Sequence, residues 1–87
     1  MIEKHNAIWV DFNGDNAAKI VSEIYSPDLD KLFVVYERKD GRYMPFSYVK
    51  KPSHQWSMPL WSNENTKVLV ASLEEAKNYL VNYGANT

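Results

Sequence analysis

The sequence predicts an α+β fold: a small antiparallel sheet of three or four strands with helices packed on one face. The first observation behind this prediction is a central hairpin over residues 32–50, in which two β-rich runs flank a turn containing Gly41. The second is a capping pattern at Ser72, followed by an amphipathic run up to Gly84 that predicts a C-terminal helix. The third is a helical spacing of apolar residues within residues 15–26, which predicts an N-terminal helix.

The size and composition of the chain indicate one globular domain, assigned to residues 1–87. Its composition, 45% hydrophobic and 24% charged, excludes disordered and low-complexity classes. A domain this small buries only about 60% of its unfolded surface, so the 12 aromatic residues must supply much of the core. The sequence has no cysteine and no apolar run near the roughly 20 residues of a membrane span. We therefore expect a cytoplasmic protein (in the host cytoplasm if viral) that has no membrane partner.

The N-terminal third leaves one segment open between two structures. Residues 7–12 alternate their side chains and predict a first strand, which ends at Asn13-Gly14. Residues 15–26 can follow a hairpin turn as a second strand, with alternating side chains. They can also form a helix capped by Asp15 and stopped by Pro27. We favour the helix because its apolar positions share one face: Ala17, Ile20, Val21 and Ile24.

The turn of the central hairpin sets the strand register. A three-residue loop, with a type I turn and Gly41 in the left-handed conformation, pairs Arg38 with Arg42. This register makes one face purely apolar, with Leu32, Val34, Tyr36, Met44, Phe46 and Tyr48. A two-residue loop would mix polar and apolar positions on that face. Pro45 has no amide donor and therefore indicates an edge or non-bonded position.

The C-terminal part is expected to form a long connection, a strand and a helix. Residues 52–65 are the connection and residues 66–71 the strand. The hydroxyl of Ser72 is expected to accept a hydrogen bond from the Glu75 amide, while the Glu75 side chain reaches back. The helix should end near residue 83, with Gly84 as the left-handed residue that follows it. Its buried stripe consists of Leu73, Ala76, Leu80 and Tyr83.

The charges are divided unevenly along the chain. Residues 1–30 contain six acidic and two basic residues, whereas residues 31–56 contain six basic and two acidic residues. We favour an internal arrangement, in which acidic elements lie beside the basic hairpin. The alternative is a surface that selects acidic partners.

Catalytic and metal-binding patterns are weak. The two histidines, His5 and His54, have no acidic ligands at motif spacing, so we expect no metal and no other cofactor. Ser53 adjoins His54, but no glycine-flanked nucleophile turn surrounds it. We assign His5 to a frayed terminus. The sequence therefore favours a protein that is not an enzyme, with a small enzyme as a remote alternative.

The basic, aromatic middle of the chain predicts a binding function. Arg38 opposite Arg42 is a like-charge pair that costs stability, and a partner carrying carboxylates or phosphates would offset the repulsion. We expect a non-enzymatic inhibitor or modulator that binds a protein or a protein–nucleic acid partner. The predicted contact residues are Arg38, Lys39, Arg42, Trp56 and Trp61. An alternative interpretation, which we favour for the two tryptophans, is a lid over one face of the sheet.

A second hypothesis is that the same segment binds RNA or single-stranded DNA, with cations on phosphates and rings on unstacked bases. The residues of that alternative are Arg38, Lys39, Arg42, Tyr43, Tyr48, Lys50 and Lys51. In general architecture, a tiny cysteine-free chain with one hairpin and a capped terminal helix is similar to small phage-encoded proteins that disable a host factor. That resemblance implies an inhibitor but assigns no residue.

Overall fold

The computed structural model describes residues 2–9, 18–55 and 57–85. Within these residues, a mixed sheet of six strands curls into a half-barrel and carries one short helix. The elements, in chain order, are β1 (Ile2–Lys4), β2 (Ala7–Trp9), β3 (Lys19–Ser26), β4 (Lys31–Glu37), β5 (Tyr43–Lys51), β6 (Leu60–Asn63) and α1 (Leu73–Val81). Across the sheet the order is β1-β2-β6-β5-β4-β3. Strands β2 and β6 are parallel, and the other neighbours are antiparallel.

The two faces of β4 serve two separate hydrophobic clusters, because successive side chains of a strand point to opposite sides. Leu32, Val34 and Tyr36 face the inside of the curl, where they pack with side chains of β2, β5 and β6. Phe33 and Val35 face outward and are covered by α1. Both faces of the central strand are therefore buried, which explains its nearly unbroken apolar sequence.

The central hairpin has the predicted three-residue turn. The amide of Arg38 donates to the carbonyl of Arg42 at 2.8 Å, and the Gly41 amide donates to the Arg38 carbonyl at 3.1 Å. Gly41 has a φ of 83°, the left-handed conformation that glycine adopts without strain. The predicted register is confirmed across the apolar face, where Val34 lies opposite Phe46.

The predicted C-terminal helix is also confirmed. The Glu75 amide donates to the Ser72 hydroxyl at 3.1 Å. Ala76 and Leu80 are buried against the sheet, as their spacing predicts. At the other end, the amides of Gly84 and Ala85 donate to the carbonyls of Val81 and Leu80, which is the Schellman pattern. Gly84 has a φ of 104° there.

The prediction of an N-terminal helix on a sheet of three or four antiparallel strands is wrong. The described part of that segment is β3, which pairs with β4 from Lys19 to Ser26 with an irregularity at Val21. The β-branched residues of this segment favour a strand. Pairing along the whole length of β4 outweighs the preference for a helix, which rests mainly on the spacing of the apolar residues. Residues 10–17, which include the proposed cap Asp15 and the end of the predicted first strand, lie outside the described residues.

A further strand precedes the predicted first strand. Strand β1 pairs with β2 through a two-residue turn at His5 and Asn6. These residues have φ values of 51° and 66°, as a type I′ hairpin turn requires. The assignment of His5 to a frayed terminus is therefore wrong. The turn escaped prediction because it lacks the glycine that usually marks this geometry.

The predictions for residues 52–71 need two corrections. Residues 60–63 of the expected connection form β6, and the strand expected over residues 66–71 is reduced to a single bridge between Val70 and Tyr43. The physical reason lies in Asn65, whose side chain takes over the hydrogen bonds that a strand would make to β5. Its Oδ1 accepts from the Ser47 amide at 2.8 Å, and its Nδ2 donates to the Pro45 carbonyl at 3.0 Å. Beside Pro45, the neighbour of β5 is therefore the Asn65 side chain and not a strand. The absence of an amide donor at Pro45 leaves no hydrogen bond between strands unmade, as predicted.

Beside Asn65, Glu64 links the same segment to β4 and β5. Its carboxylate accepts a hydrogen bond from the Ser47 hydroxyl at 2.5 Å and pairs with the Lys31 ammonium at 2.8 Å. Burial alone would raise the pKa of Glu64, but the bonds from Lys31 and Ser47 outweigh it and hold the pKa below its ordinary value of 4.5. The ionised form is therefore favoured by folding.

This arrangement predicts acid sensitivity. Because the folded-state pKa of Glu64 is lowered, its contribution to stability is present above about pH 4.5 and is lost as the pH falls through the folded-state pKa. We expect Glu64→Gln to flatten the loss of stability below pH 4.5, measured by urea unfolding at several pH values. Glu3→Gln, at an exposed position of β1, is the control and should keep the wild-type slope. An unchanged slope in Glu64→Gln would contradict the linkage.

Candidate functional site

The candidate site is the end of the central hairpin, which we call the basic tip and define as residues 38–42. Its backbone is held by the turn hydrogen bonds and by the Asp40 carboxylate, which accepts from the Arg42 amide at 3.0 Å. Strands β4 and β5 are paired up to Glu37 and Tyr43, directly before and after the tip. Hydrogen bonds within the turn and the paired strands on both sides therefore define the backbone conformation of the tip.

The three cations of the basic tip differ in their electrostatic surroundings. The Arg38 guanidinium lies 3.3 Å from the Asp40 carboxylate, so its charge is matched within the turn. Lys39 and Arg42 are exposed, and neither forms an ion pair with a described residue. The predicted accumulation of positive charge therefore rests on two residues and not on three.

A shallow depression of about 440 Å³ lies beside the basic tip. It is lined by Lys19, Glu37, Arg38, Lys39 and Gly41. The Lys19 ammonium pairs with Glu37 at 3.4 Å, but its side chain remains 72% exposed. Glu37 also accepts a hydrogen bond from the Tyr43 hydroxyl at 3.0 Å, and this bond raises the pKa of Tyr43. Three of the five lining residues are cationic, but Lys19 pairs with Glu37 and Arg38 with Asp40, so the excess positive charge beside the depression comes from Lys39.

The tryptophan part of the predicted contact surface does not join the basic tip. Trp61 is only 3% exposed, and its Nε1 donates to the Lys4 carbonyl at 2.8 Å. It pairs with Lys50 across the sheet, at the end of β5 away from the tip. The burial of Trp61 agrees with the interpretation that its ring covers one face of the sheet, but it does so from strand β6 and not from a lid. Trp56 lies outside the described residues.

The residues of the nucleic-acid alternative are largely engaged within the protein. The ring of Tyr48 packs edge-on against Trp9, with centroids 4.7 Å apart. The Lys50 ammonium lies 2.9 Å from Asp30 and over the ring of Trp61. Tyr43 is half-buried, and of the residues particular to this alternative only Lys51 is exposed. These contacts leave few ring faces on which bases could stack.

Ion pairs within the protein compensate only part of the uneven charge distribution along the chain. The pair between Lys50 and Asp30 joins the basic middle to the acidic first third, as the internal interpretation expects. Lys31 instead pairs with Glu64 from the C-terminal part. Among the described residues of the first third, no carboxylate pairs with Lys39 or Arg42.

Sequence reasoning missed one cluster at the opposite end of the sheet. The His5 ring stacks on Tyr25 with centroids 4.0 Å apart, and the Tyr25 hydroxyl donates to Asp30 at 2.7 Å. Asp30 in turn pairs with Lys50, and both contacts lower the pKa of Asp30. These residues are distant in the sequence and match no motif, so only the fold brings them together.

Among the described residues, no group of three or more histidine, cysteine or acidic side chains is placed to hold a metal ion. No helix within the same residues is long and apolar enough to cross a membrane. No family model, curated protein or solved structure matches the chain. Function must therefore be argued from the surface itself.

Proposed function

We propose that the chain is a non-enzymatic binding protein that inhibits or modulates another macromolecule, docking on an acidic protein surface through the basic tip. The observation that carries the proposal is the exposure of Lys39 and Arg42 on a hydrogen-bonded turn, without a carboxylate partner among the described residues. Holding like charges close together costs stability. An acidic partner removes that cost on binding and is also attracted from a distance.

The surroundings of the tip favour a protein partner over a nucleic acid. The exposed aliphatic residues Ile20 and Val21 follow Lys19 in β3, next to the depression. A protein surface can cover such side chains, whereas single-stranded nucleic acid needs free aromatic rings. Since the chain has no cysteine for a disulfide framework, we propose that this binding takes place in the cytoplasm, or in a host's cytoplasm if the chain is viral.

Neutralising the two unmatched cations tests the proposal. Lys39→Gln with Arg42→Gln should weaken partner binding roughly tenfold or more, equivalent to about 1.4 kcal/mol or more, because both charges that attract the acidic surface are removed. The partner is captured from a lysate treated with nuclease, and its affinity for each purified variant is then measured by calorimetry. The matched control, Lys67→Gln with Lys77→Gln, removes two charges elsewhere and should bind as the wild type does. Thermal stability of the tip variant should be unchanged or raised.

Two outcomes would contradict this function. Equal affinities of the tip variant and the control variant would show that the basic tip is not the contact surface. Binding to a poly-dT oligonucleotide that weakens steeply with salt, and is lost in the tip variant, would establish the nucleic-acid alternative instead.

A further inference from the structure

The two outermost strands of the sheet, β1 and β3, meet along a seam made of side chains. The Lys4 ammonium lies 2.6 Å from the Glu23 carboxylate, and the His5 ring stacks on Tyr25 with an interplanar angle of 7°. We call these four residues the seam. The pairing of the intervening strands makes β1 and β3 run in the same direction, yet no backbone pairing joins them among the described residues. Side chains alone close the curl at this point.

Few backbone pairs join the N-terminal hairpin to the rest of the sheet within the described part of the chain. Among the described residues, β2 is in register with β6 at one position, Ile8 opposite Leu60, and the Ile8 amide donates to the Pro59 carbonyl. By contrast, β4 pairs with β5 over its whole length. Ala7 and Trp9 anchor β2 by burial, whereas Glu3 and Lys4 of β1 remain partly or fully exposed. Apart from the pairing with β2, the contacts of Glu3 and Lys4 with described residues run through Lys4, so we expect β1 to open more easily than the central strands.

Backbone strain is concentrated at the same end. The described non-glycine residues with positive φ are His5, Asn6 and Asp30. The first two form the turn of the hairpin, and Asp30 bonds to Tyr25 of the seam. Such conformations cost free energy and persist where surrounding contacts hold them. Release of the seam removes one of the contacts that holds this turn.

We propose that β1 and its turn form a strap. The strap detaches from β3 as one unit, while β2 stays anchored in the sheet. Release breaks the pair between Lys4 and Glu23, the stack of His5 on Tyr25 and the bond from the Trp61 indole to Lys4. Release uncovers the edge of β3 at Glu23 and Tyr25, and the side chains of Ile20, Val21 and Ile24 on the same strand are already exposed. An uncovered strand edge with such side chains can pair with another chain. In the intact fold, the strap covers part of this edge and so prevents that pairing.

Hydrogen exchange of a charge-reversal variant tests the strap. In Lys4→Glu, two carboxylates face each other across the seam, and exchange of the β1 amides and the Trp61 indole N–H should become about three- to tenfold faster. Exchange of the β4 and β5 amides should stay within twofold of the wild type. Lys4→Glu combined with Glu23→Lys restores an opposite-charge pair and should return the β1 rates towards wild type. The control Lys67→Glu makes the same charge change away from the seam.

The strap would be excluded by either of two results. If the amides of β1, β4 and β5 accelerate together in Lys4→Glu, the seam is part of global unfolding and not of a separate unit. If the β1 amides and the indole keep their wild-type rates in Lys4→Glu and in His5→Ala, the seam does not hold the strap. Both results are independent of binding at the basic tip, so they leave the proposed function to its own test.

Discussion

Replacing Asn65 by alanine is expected to lower the free energy of unfolding by about 2–4 kcal/mol, because it leaves buried backbone groups of β5 without partners. The Asn65 side chain accepts from the Ser47 amide and donates to the carbonyls of Pro45 and Thr66. The residue is 7% exposed, so water cannot readily replace these bonds. Urea unfolding at neutral pH measures the change.

Two further variants separate the hydrogen bonds of Asn65 from its packing. Asn65→Asp keeps the acceptor for Ser47 but loses both donated bonds and places a carboxylate against two carbonyl oxygens, so it should also be strongly destabilised. Asn78→Ala, on the exposed face of α1, is the control and should change stability by less than about 0.5 kcal/mol. If Asn65→Ala changed the free energy of unfolding as little as Asn78→Ala does, the Asn65 side chain would not take the place of a strand beside β5.

Replacing Phe33 by alanine is expected to cost about 3–5 kcal/mol, the range for deleting a buried aromatic side chain. Phe33 is 2% exposed and packs beneath α1 against Ala76 and Leu80. A domain of this length has a total stability of roughly 4–13 kcal/mol, so this variant lies near the limit of folding. Thermal unfolding, followed by the helical circular dichroism signal, measures the loss.

A milder variant keeps the Phe33 prediction measurable if the alanine variant does not fold. Phe33→Leu retains most of the apolar volume and should cost less than about 1.5 kcal/mol. Leu69→Ala removes an apolar side chain that is 39% exposed and should cost less than Phe33→Ala. Equal losses for Phe33→Ala and Leu69→Ala would mean that α1 does not cover a second core.

The parts of the fold that follow from short-range rules were predictable. The turn at Gly41 and the face shared by Val34 and Phe46 depend on local backbone conformation and on the two-residue period of a strand. The helix between Ser72 and Gly84 depends on its own capping residues. In each case, neighbouring residues carry enough information to exclude the alternatives.

The candidate site was predictable only in part, for a related reason. The exposure of Lys39 and Arg42 follows from their place in a tight turn, so the sequence could indicate it. The pairing of Arg38 with Asp40 was not anticipated, although Asp40 lies in the same turn. The burial of Trp61 depends on how the sheet curls, and no local pattern separates a core tryptophan from one that contacts a partner.

By itself the amino-acid sequence determined the central hairpin, its register, the capped helix and the exposed cations of the basic tip, because each depends on residues close together in the chain. Only the tertiary structure decided that β3 is a strand, that Asn65 replaces a strand beside β5, and that Lys4 meets Glu23 across the seam. Asn65 and Lys4 have partners 18 to 20 positions away in the sequence, and β3 pairs with β4 at separations of 5 to 18 positions. Their free energy comes from pairing and burial in the curled sheet, which outweigh the local preferences of the segments involved.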